Sequence, residues 1–286
     1  MGYRYFEQAA HAAAYNKFRP STPKHLIEKI VKYIQEQHPG PLNEAVDIGC
    51  GSGQSTEVLA PYFKKVTGSD PSETQIIEAQ KKNTIPNVHY KVGPAEKIDC
   101  PDESVQLITA CQSCHWFDLP KFYSEAERIL VPGGVLAMYG YVLPRPRYEN
   151  KSEELSEIVD KYYNIVLGKY VLPQSKKAYL ENYSTKDFNE IPFVSSPVVR
   201  DDSIYIERKA ALSDLIGYMS SWSTFQNFQK QEGEERASCV LQDLEKELLD
   251  MTEPSKKPQD IQIMIIYKYF LLMARKPLKK IAESLQ

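Results

Sequence analysis

Between Pro23 and Val142 the apolar positions of the chain switch repeatedly between two periods. Leu26, Ile27, Ile30, Val31 and Ile34 recur at helical spacing, and Pro39-Gly40-Pro41 stops that helix. A short apolar strand over 45–48 follows, then a glycine-rich loop and a helix predicted over about 55–63. A second strand (65–68) ends at Asp70, where Ser72 can cap a helix carrying Ile76 and Ile77. Strands are predicted over 88–92 and 105–110, a helix over 120–130, and a fifth strand over 135–141 after Pro132-Gly133-Gly134. Strands alternating with helices of about ten residues imply a parallel sheet with helices on both faces. Such sheets bind ligands at the carboxyl ends of their strands.

The pattern changes after Pro144-Arg145-Pro146. The following stretch is aromatic and charge-rich, with long helical periods and little strand character, and reads as a cap inserted over the pocket. The run over 261–274 is rich in β-branched and aromatic residues and suits a last strand returning to the sheet. The expected organisation is a cofactor-binding core over 1–142, a helical, aromatic substrate cap over 143–235, and a C-terminal segment over 236–286.

Composition adds exclusions rather than a function. The chain has 286 residues and a net charge of −3, so there is no electrostatic reason to bind nucleic acid or an anionic membrane. No run approaches the roughly 20 apolar residues of a membrane span. The first residues lack a signal peptide's apolar stretch. With five cysteines, an odd number, reduced thiols and a cytoplasmic location are expected. The sequons at Asn150 and Asn182 then carry no meaning. Nineteen tyrosines supply aromatic surface for a pocket or for the cap's own core.

The chemistry centres on Asp47-Ile48-Gly49-Cys50-Gly51-Ser52-Gly53-Gln54, between a strand and a helix. Glycines there let the backbone turn sharply and approach a ligand closely. A dinucleotide fingerprint requires glycine where Gln54 stands, which disfavours a nicotinamide cofactor. Asp70 ends the next strand, where a carboxylate can accept both hydroxyls of a ribose, although a turn through Ser69-Asp70-Pro71-Ser72 also explains it.

These segments, followed by Gly93-Pro94-Ala95-Glu96 and Leu130-x-Pro132-Gly133-Gly134, resemble the successive motifs of class I S-adenosylmethionine-dependent methyltransferases. The match is closest to the small-molecule group that includes the trans-aconitate methyltransferases. It covers about residues 11–142, including Tyr15-x-x-x-Arg19-Pro20, and the cap more loosely around Gly217-Tyr218 and Ser221-Trp222-Ser223. The resemblance implies a doubly wound, mostly parallel seven-stranded α/β sheet of the Rossmann-like type with a helical cap insertion. It implies S-adenosylmethionine as cofactor, with Asp47, Gly49, Gly51 and Gly53 holding the methionine portion. Asp70 would take the ribose and Pro71 would pack on adenine, whose edge Ala95 and Glu96 would address. Gln112 would lie near the cofactor's amino group, with Tyr15 and Arg19 closing the cofactor pocket.

Cys111-Gln112-Ser113-Cys114-His115-Trp116 contains a literal Cys-x-x-Cys-His. Haem or metal is not expected there, because the remaining cysteines are scattered singly. The segment leaves the fourth strand at the ligand edge, where the related methyltransferases carry a similar His-Trp-Phe run. His115 could orient or deprotonate an acceptor, and Trp116 and Trp222 could wall it. A carboxylate acceptor is already ionised and needs no base, so the lack of an obvious base dyad favours methyl-ester formation. An N- or O-methyltransferase for another metabolite, or a cofactor-binding module without turnover, stays open. The expected partner is a small-molecule substrate, with no nucleic acid and no stable membrane association. The oligomeric state stays open, with a monomer favoured.

Overall fold

The computed structural model describes residues 17–279. The chain forms two compact units. One comprises residues 22–140, 183–201 and 271–279; the other comprises residues 17–21, Tyr141–Asn182 and Asp202–Phe270.

In the first unit, α1 (Lys24–Gln35) buries Leu26, Ile27, Ile30, Val31 and Ile34, the stripe expected from their spacing. Then follow β1 (Leu42–Ile48), α2 (Gln54–Glu57), β2 (Phe63–Asp70), α3 (Glu73–Lys82) and β3 (Val88–Val92). The unit continues through β4 (Val105–Cys111), α4 (Leu119–Ile129) and β5 (Leu130–Tyr141), whose last residue belongs to the other unit. The strand order is β3-β2-β1-β4-β5, and these five pair in parallel. The chain winds outward in one direction from β1 and in the other from β4, so the switch point lies between β1 and β4. Beyond β5 come the C-terminal residues of β9 (Gln262–Arg275) and then β7 (Val199–Asp201). Among the described residues this gives the unit seven strands.

The helix expected over 55–63 is much shorter. After α2 the backbone continues in tight i→i−3 turns, with Leu59 N–H donating to Thr56 O and Tyr62 N–H to Leu59 O. Pro61 explains the early stop: it lacks an N–H and disfavours helical geometry at Ala60. Between β3 and β4 there is no helix, and the loop there borders a cavity of about 480 Å³ lined by residues including Lys91, Lys97, Glu125 and Arg128.

The second unit holds β6 (Arg145–Arg147), α5 (Ser152–Lys161), α6 (Pro173–Tyr179), β8 (Tyr205–Ala211), α8 (Leu212–Ser220), α9 (Ser223–Glu232) and α10 (Glu234–Met251). The short helix α7 (Lys186–Asn189) belongs to the first unit. Residues 262–270 of β9 pair antiparallel with β6 and β8. Strand character is therefore greater in this stretch than the sequence suggested. In Tyr-Ile-Glu-Arg-Lys-Ala-Ala the alternation of β8 is masked by charge, because most of the strand stays at least partly exposed. Aromatic residues form this unit's core: Tyr163 and Trp222 meet edge to face at 5.3 Å, and Tyr218 packs on Tyr267 at 5.4 Å.

A candidate cofactor-binding and active site

In the first unit the sheet register sets the site. Asp47 pairs with Gly68 and Thr109, and Gly68 pairs with Tyr90. These four residues form one row, and in-register residues of parallel strands share a face. Asp47, fully buried, accepts the Thr109 hydroxyl on Oδ1 at 2.8 Å. Its Oδ2 accepts the hydroxyls of Ser55 and Thr56, each at 2.7 Å. Burial pushes the Asp47 pKa up, and the three hydroxyls oppose that shift. The carboxylate thereby ties the end of β1 to the start of α2 and holds the glycine loop between them.

That loop turns through positive φ. At Gly53 (φ +93°) an added Cβ would fall 2.2 Å from the Tyr90 hydroxyl, so only hydrogen fits beneath the ring. Gly51 (φ +53°) is different: the nearest atom to an added Cβ is Gln75 Oε1 at 3.9 Å, leaving the loop open on that side. The N–H groups of Gly49 and Cys50 donate to Ser69 O at 2.7 and 3.1 Å, anchoring the loop to β2.

Asp70, half-buried at the end of β2, stands beside the open glycine. Its Oδ2 accepts the Gly51 N–H at 3.0 Å and its Oδ1 the Ser72 N–H at 2.8 Å. Desolvation raises its pKa, and the two backbone donors pull it back. A carboxylate has about four lone-pair sites. Each Asp70 oxygen can therefore accept one hydrogen bond more, which suits a pair of vicinal hydroxyls. Pro71, next in sequence, is exposed.

The remaining turns gather at the same strand ends. Ala95 is buried, and Glu96 Oε1 accepts the Asp118 N–H at 2.8 Å, joining the β3–β4 loop to the start of α4. Gln112 has φ +49°, uncommon for a residue with a side chain, and its N–H donates to Tyr139 O at 2.9 Å. Ser113 donates through Oγ to Ile48 O at 2.9 Å, drawing the exit of β4 onto the end of β1. A single 3₁₀ turn then carries Cys114, His115 and Trp116. His115 is buried; its Nδ1 lies 2.7 Å from the Tyr183 hydroxyl, and its ring centroid lies 5.0 Å from that of Trp116.

Two further candidates belong to the second unit. Buried Arg19 donates from Nε to Ser221 Oγ and from Nη2 to Ser221 O, both at 2.9 Å. Its Nη1 donates to the Tyr179 hydroxyl at 2.8 Å, and its guanidinium lies 4.8 Å from the Tyr218 ring centroid. Trp222 is buried among Tyr163 and Tyr218 in the aromatic core. Tyr15 lies outside the described residues. Among the described residues no three histidine, cysteine or acidic side chains group as a metal site, and no helix is long and apolar enough to cross a membrane. Burial raises the thiol pKa of Cys50, Cys100, Cys111 and Cys114, that of Cys111 to about 12. The thiol rather than the nucleophilic thiolate is their resting form.

The residues the sequence did not single out are those that build the cradle: Ser55, Thr56 and Thr109 around Asp47, and Tyr90 under Gly53. Tyr183, which meets His115, is one of the aromatic residues that the sequence offers for either a pocket or the cap's own core. Of the four cradle residues, Tyr90 has a signal in the sequence, as an inward-facing position two after Val88 in β3.

Comparison with known proteins agrees with this geometry. Residues 46–138 match a family model described as a methyltransferase domain. A Dictyostelium discoideum protein named as a methyltransferase is 37% identical over 76% of this chain and 76% of its own length. CRG1 of Saccharomyces cerevisiae, named for S-adenosylmethionine-dependent methyl transfer, is 28% identical over 77% of this chain and 81% of its own. A solved structure described as a type II methyltransferase from Anaeromyxobacter dehalogenans is 27% identical, with a TM-score of 0.70, covering 91% of this chain and 99% of that one. The chain belongs to the class I S-adenosylmethionine-dependent methyltransferases.

Proposed function

We propose that this methyltransferase acts on a small-molecule carboxylate and forms a methyl ester, in the manner of the trans-aconitate-like group its motifs resemble. S-adenosylmethionine supplies, when bound, a methyl group on a sulfonium leaving group. The described residues suit that cofactor: Gly51 leaves the loop open, and Asp70 keeps an accepting position on each oxygen beside it. On this reading Asp70 takes the ribose hydroxyls, Pro71 and Ala95 bound the adenine, and Glu96 and Gln112 shape the turns around it. Gly49, Gly51 and Gly53 admit the methionine portion, while Asp47 acts by holding their loop. Trp116, on the same 3₁₀ turn as His115, is assigned to the acceptor's wall.

The observation that carries the acceptor class is the group that meets Nδ1 of His115. A general base is best served by a carboxylate that stabilises the imidazolium it becomes. Here Nδ1 meets the neutral hydroxyl of Tyr183 at 2.7 Å. That partner suits an imidazole that orients an acceptor already carrying its negative charge. The remaining requirement is alignment and exclusion of water, which can contribute about 7–11 kcal/mol of barrier lowering.

The test is methyl transfer from labelled S-adenosylmethionine to a panel of carboxylic acids, amines, phenols and thiols. An ester releases labelled methanol in mild alkali. Turnover confined to alkali-stable products would overturn the carboxylate reading.

A further inference from the structure

We propose that the cavity beneath the loop between β3 and β4 is a second ligand site, one that takes a small amphipathic carboxylate with a hydroxyl or carbonyl at its far end. It lies wholly within the first unit and goes beyond the methyl-transfer reading. Asp47, Gly68 and Tyr90 share the face of the sheet that carries the glycine loop. Their chain neighbours Val46, Thr67, Ser69 and Lys91 therefore share the opposite face. A parallel sheet ordinarily has helices over both faces. No helix joins β3 to β4, and the space on that face, about 480 Å³, is walled by the loop and by Glu125 and Arg128 of α4. Small-molecule sites occupy about 300–1,000 Å³.

The walls are built before any ligand arrives. Arg128 donates to Ile98 O and to Cys100 O, both at 2.9 Å, and the Ile98 N–H donates to Glu125 Oε1 at 2.6 Å, stapling the loop to α4. The lining charges then nearly cancel. Glu125 answers Arg128 at 2.7 Å, and Asp99 answers Lys91 at 2.8 Å. The ammonium of Lys97 is left over, with no ion-pair or hydrogen-bond partner among the described residues. Val46 and Ile98, both buried, and Val92, 55% exposed, supply apolar surface. Thr67 supplies the polar group. It is only 5% exposed, it lines the cavity, and its hydroxyl has no hydrogen-bond partner among the described residues. Burying a hydroxyl unpaired costs stability, so a native fold seldom keeps one without a use for it. Ser69 donates to Gly93 O at 3.2 Å and keeps its own oxygen as an acceptor beside it. One spare positive charge, apolar walls and a buried hydroxyl match a carboxylate, an apolar body and a second polar group.

Methyl NMR of the full chain, with and without saturating S-adenosylhomocysteine, tests the site; Ile98→Val identifies the Ile98 signal. The probes are 4-hydroxyphenylacetate and 8-hydroxyoctanoate, one rigid and one flexible, with uncharged 4-hydroxyphenethyl alcohol as control. At least one acid is expected to shift the Ile98 signal saturably, whether or not S-adenosylhomocysteine is present. Lys97→Gln should weaken that acid about two- to fivefold, the range of an exposed ion pair, and leave the alcohol unaffected. Thr67→Val, which keeps the side chain's shape, should weaken the acid about two- to tenfold, the range of one neutral hydrogen bond. It should also leave the thermal melt of the unliganded protein no lower than that of the wild type. The inference is overturned if neither acid moves Ile98, or if S-adenosylhomocysteine suppresses the shift, which would place the probe in the cofactor's own pocket. An affinity indifferent to Lys97→Gln or to Thr67→Val would also overturn it, as would a lower melt for Thr67→Val, which would assign the hydroxyl to the fold. The Ile98 signal reports on this cavity whichever acceptor is methylated, so this inference and the carboxylate reading fail separately.

Discussion

Replacing Gly51 and Gly53 in turn by alanine separates what the loop needs for its fold from what it needs for its ligand. Both positions have positive φ, which costs an L residue about 1–2 kcal/mol. At Gly51 nothing else is added, because the new methyl meets no atom nearer than 3.9 Å. At Gly53 the methyl would lie 2.2 Å from the Tyr90 hydroxyl and 2.7 Å from its Cζ, so the ring must move. Tyr90 is buried against Gly68, whose own Cβ position is already within 2.8 Å of the ring, and it has little room to yield. Overpacking of this kind adds about 1–3 kcal/mol, bringing Gly53→Ala to about 2–5 kcal/mol in total. Denaturant melts should therefore show a small loss for Gly51→Ala and a larger one for Gly53→Ala, with Tyr90→Ala recovering part of the latter. Calorimetric titration with S-adenosylmethionine should rank the pair differently. Gly51→Ala places its methyl on the open side of the cradle and should weaken binding by about tenfold or more, which takes only 1.4 kcal/mol. Wild-type affinity in a folded Gly51→Ala protein would refute the placement of the cofactor against this loop.

Three further outcomes are expected. Because burial raises the Asp70 pKa, ribose binding to its ionised form should weaken on the acid side at a pH above the ordinary aspartate range near 3.9. The unliganded protein should gain stability as pH falls through the same window, since the folded state there binds more protons than the unfolded one; Asp70→Asn should abolish the pH dependence of binding, and a wild-type affinity flat down to pH 4 would contradict the assignment. His115→Gln should lower the methyl-transfer rate only modestly, with a profile flat from about pH 6 to 9; a loss of about 10²–10⁴-fold, with a rate rising through the histidine pKa, would mark a general base instead. Alkylation of the native protein at pH 8, read by mass spectrometry, should modify exposed Cys239 well before Cys50, Cys111 and Cys114, whose thiols burial holds protonated; equal labelling would show that the β4 exit opens readily.

The parallel sheet was legible because its strands and helices differ in period, and because most of the glycine and proline breaks fall between them; Pro132-Gly133-Gly134 instead lies inside β5, which already begins at Leu130. The helix α1 shows the pattern at full strength, with its five apolar positions all buried. Legibility failed where a local rule and a tertiary contact disagreed. Pro61 cut α2 short although the apolar spacing ran on to Phe63. The strand β8 was hidden by Glu207, Arg208 and Lys209, whose charges are tolerated because the strand keeps much of its surface in water. Residues 183–201 belong to the sheet-bearing unit although their composition continues that of their neighbours. Contacts such as Tyr123 with Asp187 and Lys29 with Asp201 accompany that membership, and no short-range pattern encodes them.

The two aspartates of the site show where sequence reading meets its limit. Asp47 and Asp70 each end a strand beside the same glycine loop, and each was a candidate to touch the cofactor. What separates them is the identity of their hydrogen-bond donors. Asp47 receives three side-chain hydroxyls, two from the first residues of α2 and one from the neighbouring strand, and no surface remains to it. Asp70 receives two backbone N–H groups, one on each oxygen, which leaves an accepting position on each. Two of the hydroxyls on Asp47 lie eight and nine residues ahead, but the third comes from Thr109, 62 positions away, through strand register. A carboxylate whose donors are side chains of the fold is a structural joint. One whose donors are backbone N–H groups, one from its own turn and one from the glycine loop, can still address a ligand. Substituting Thr109 by valine, which keeps the shape and removes one donor, should therefore disturb the loop through Asp47 and leave Asp70 in place.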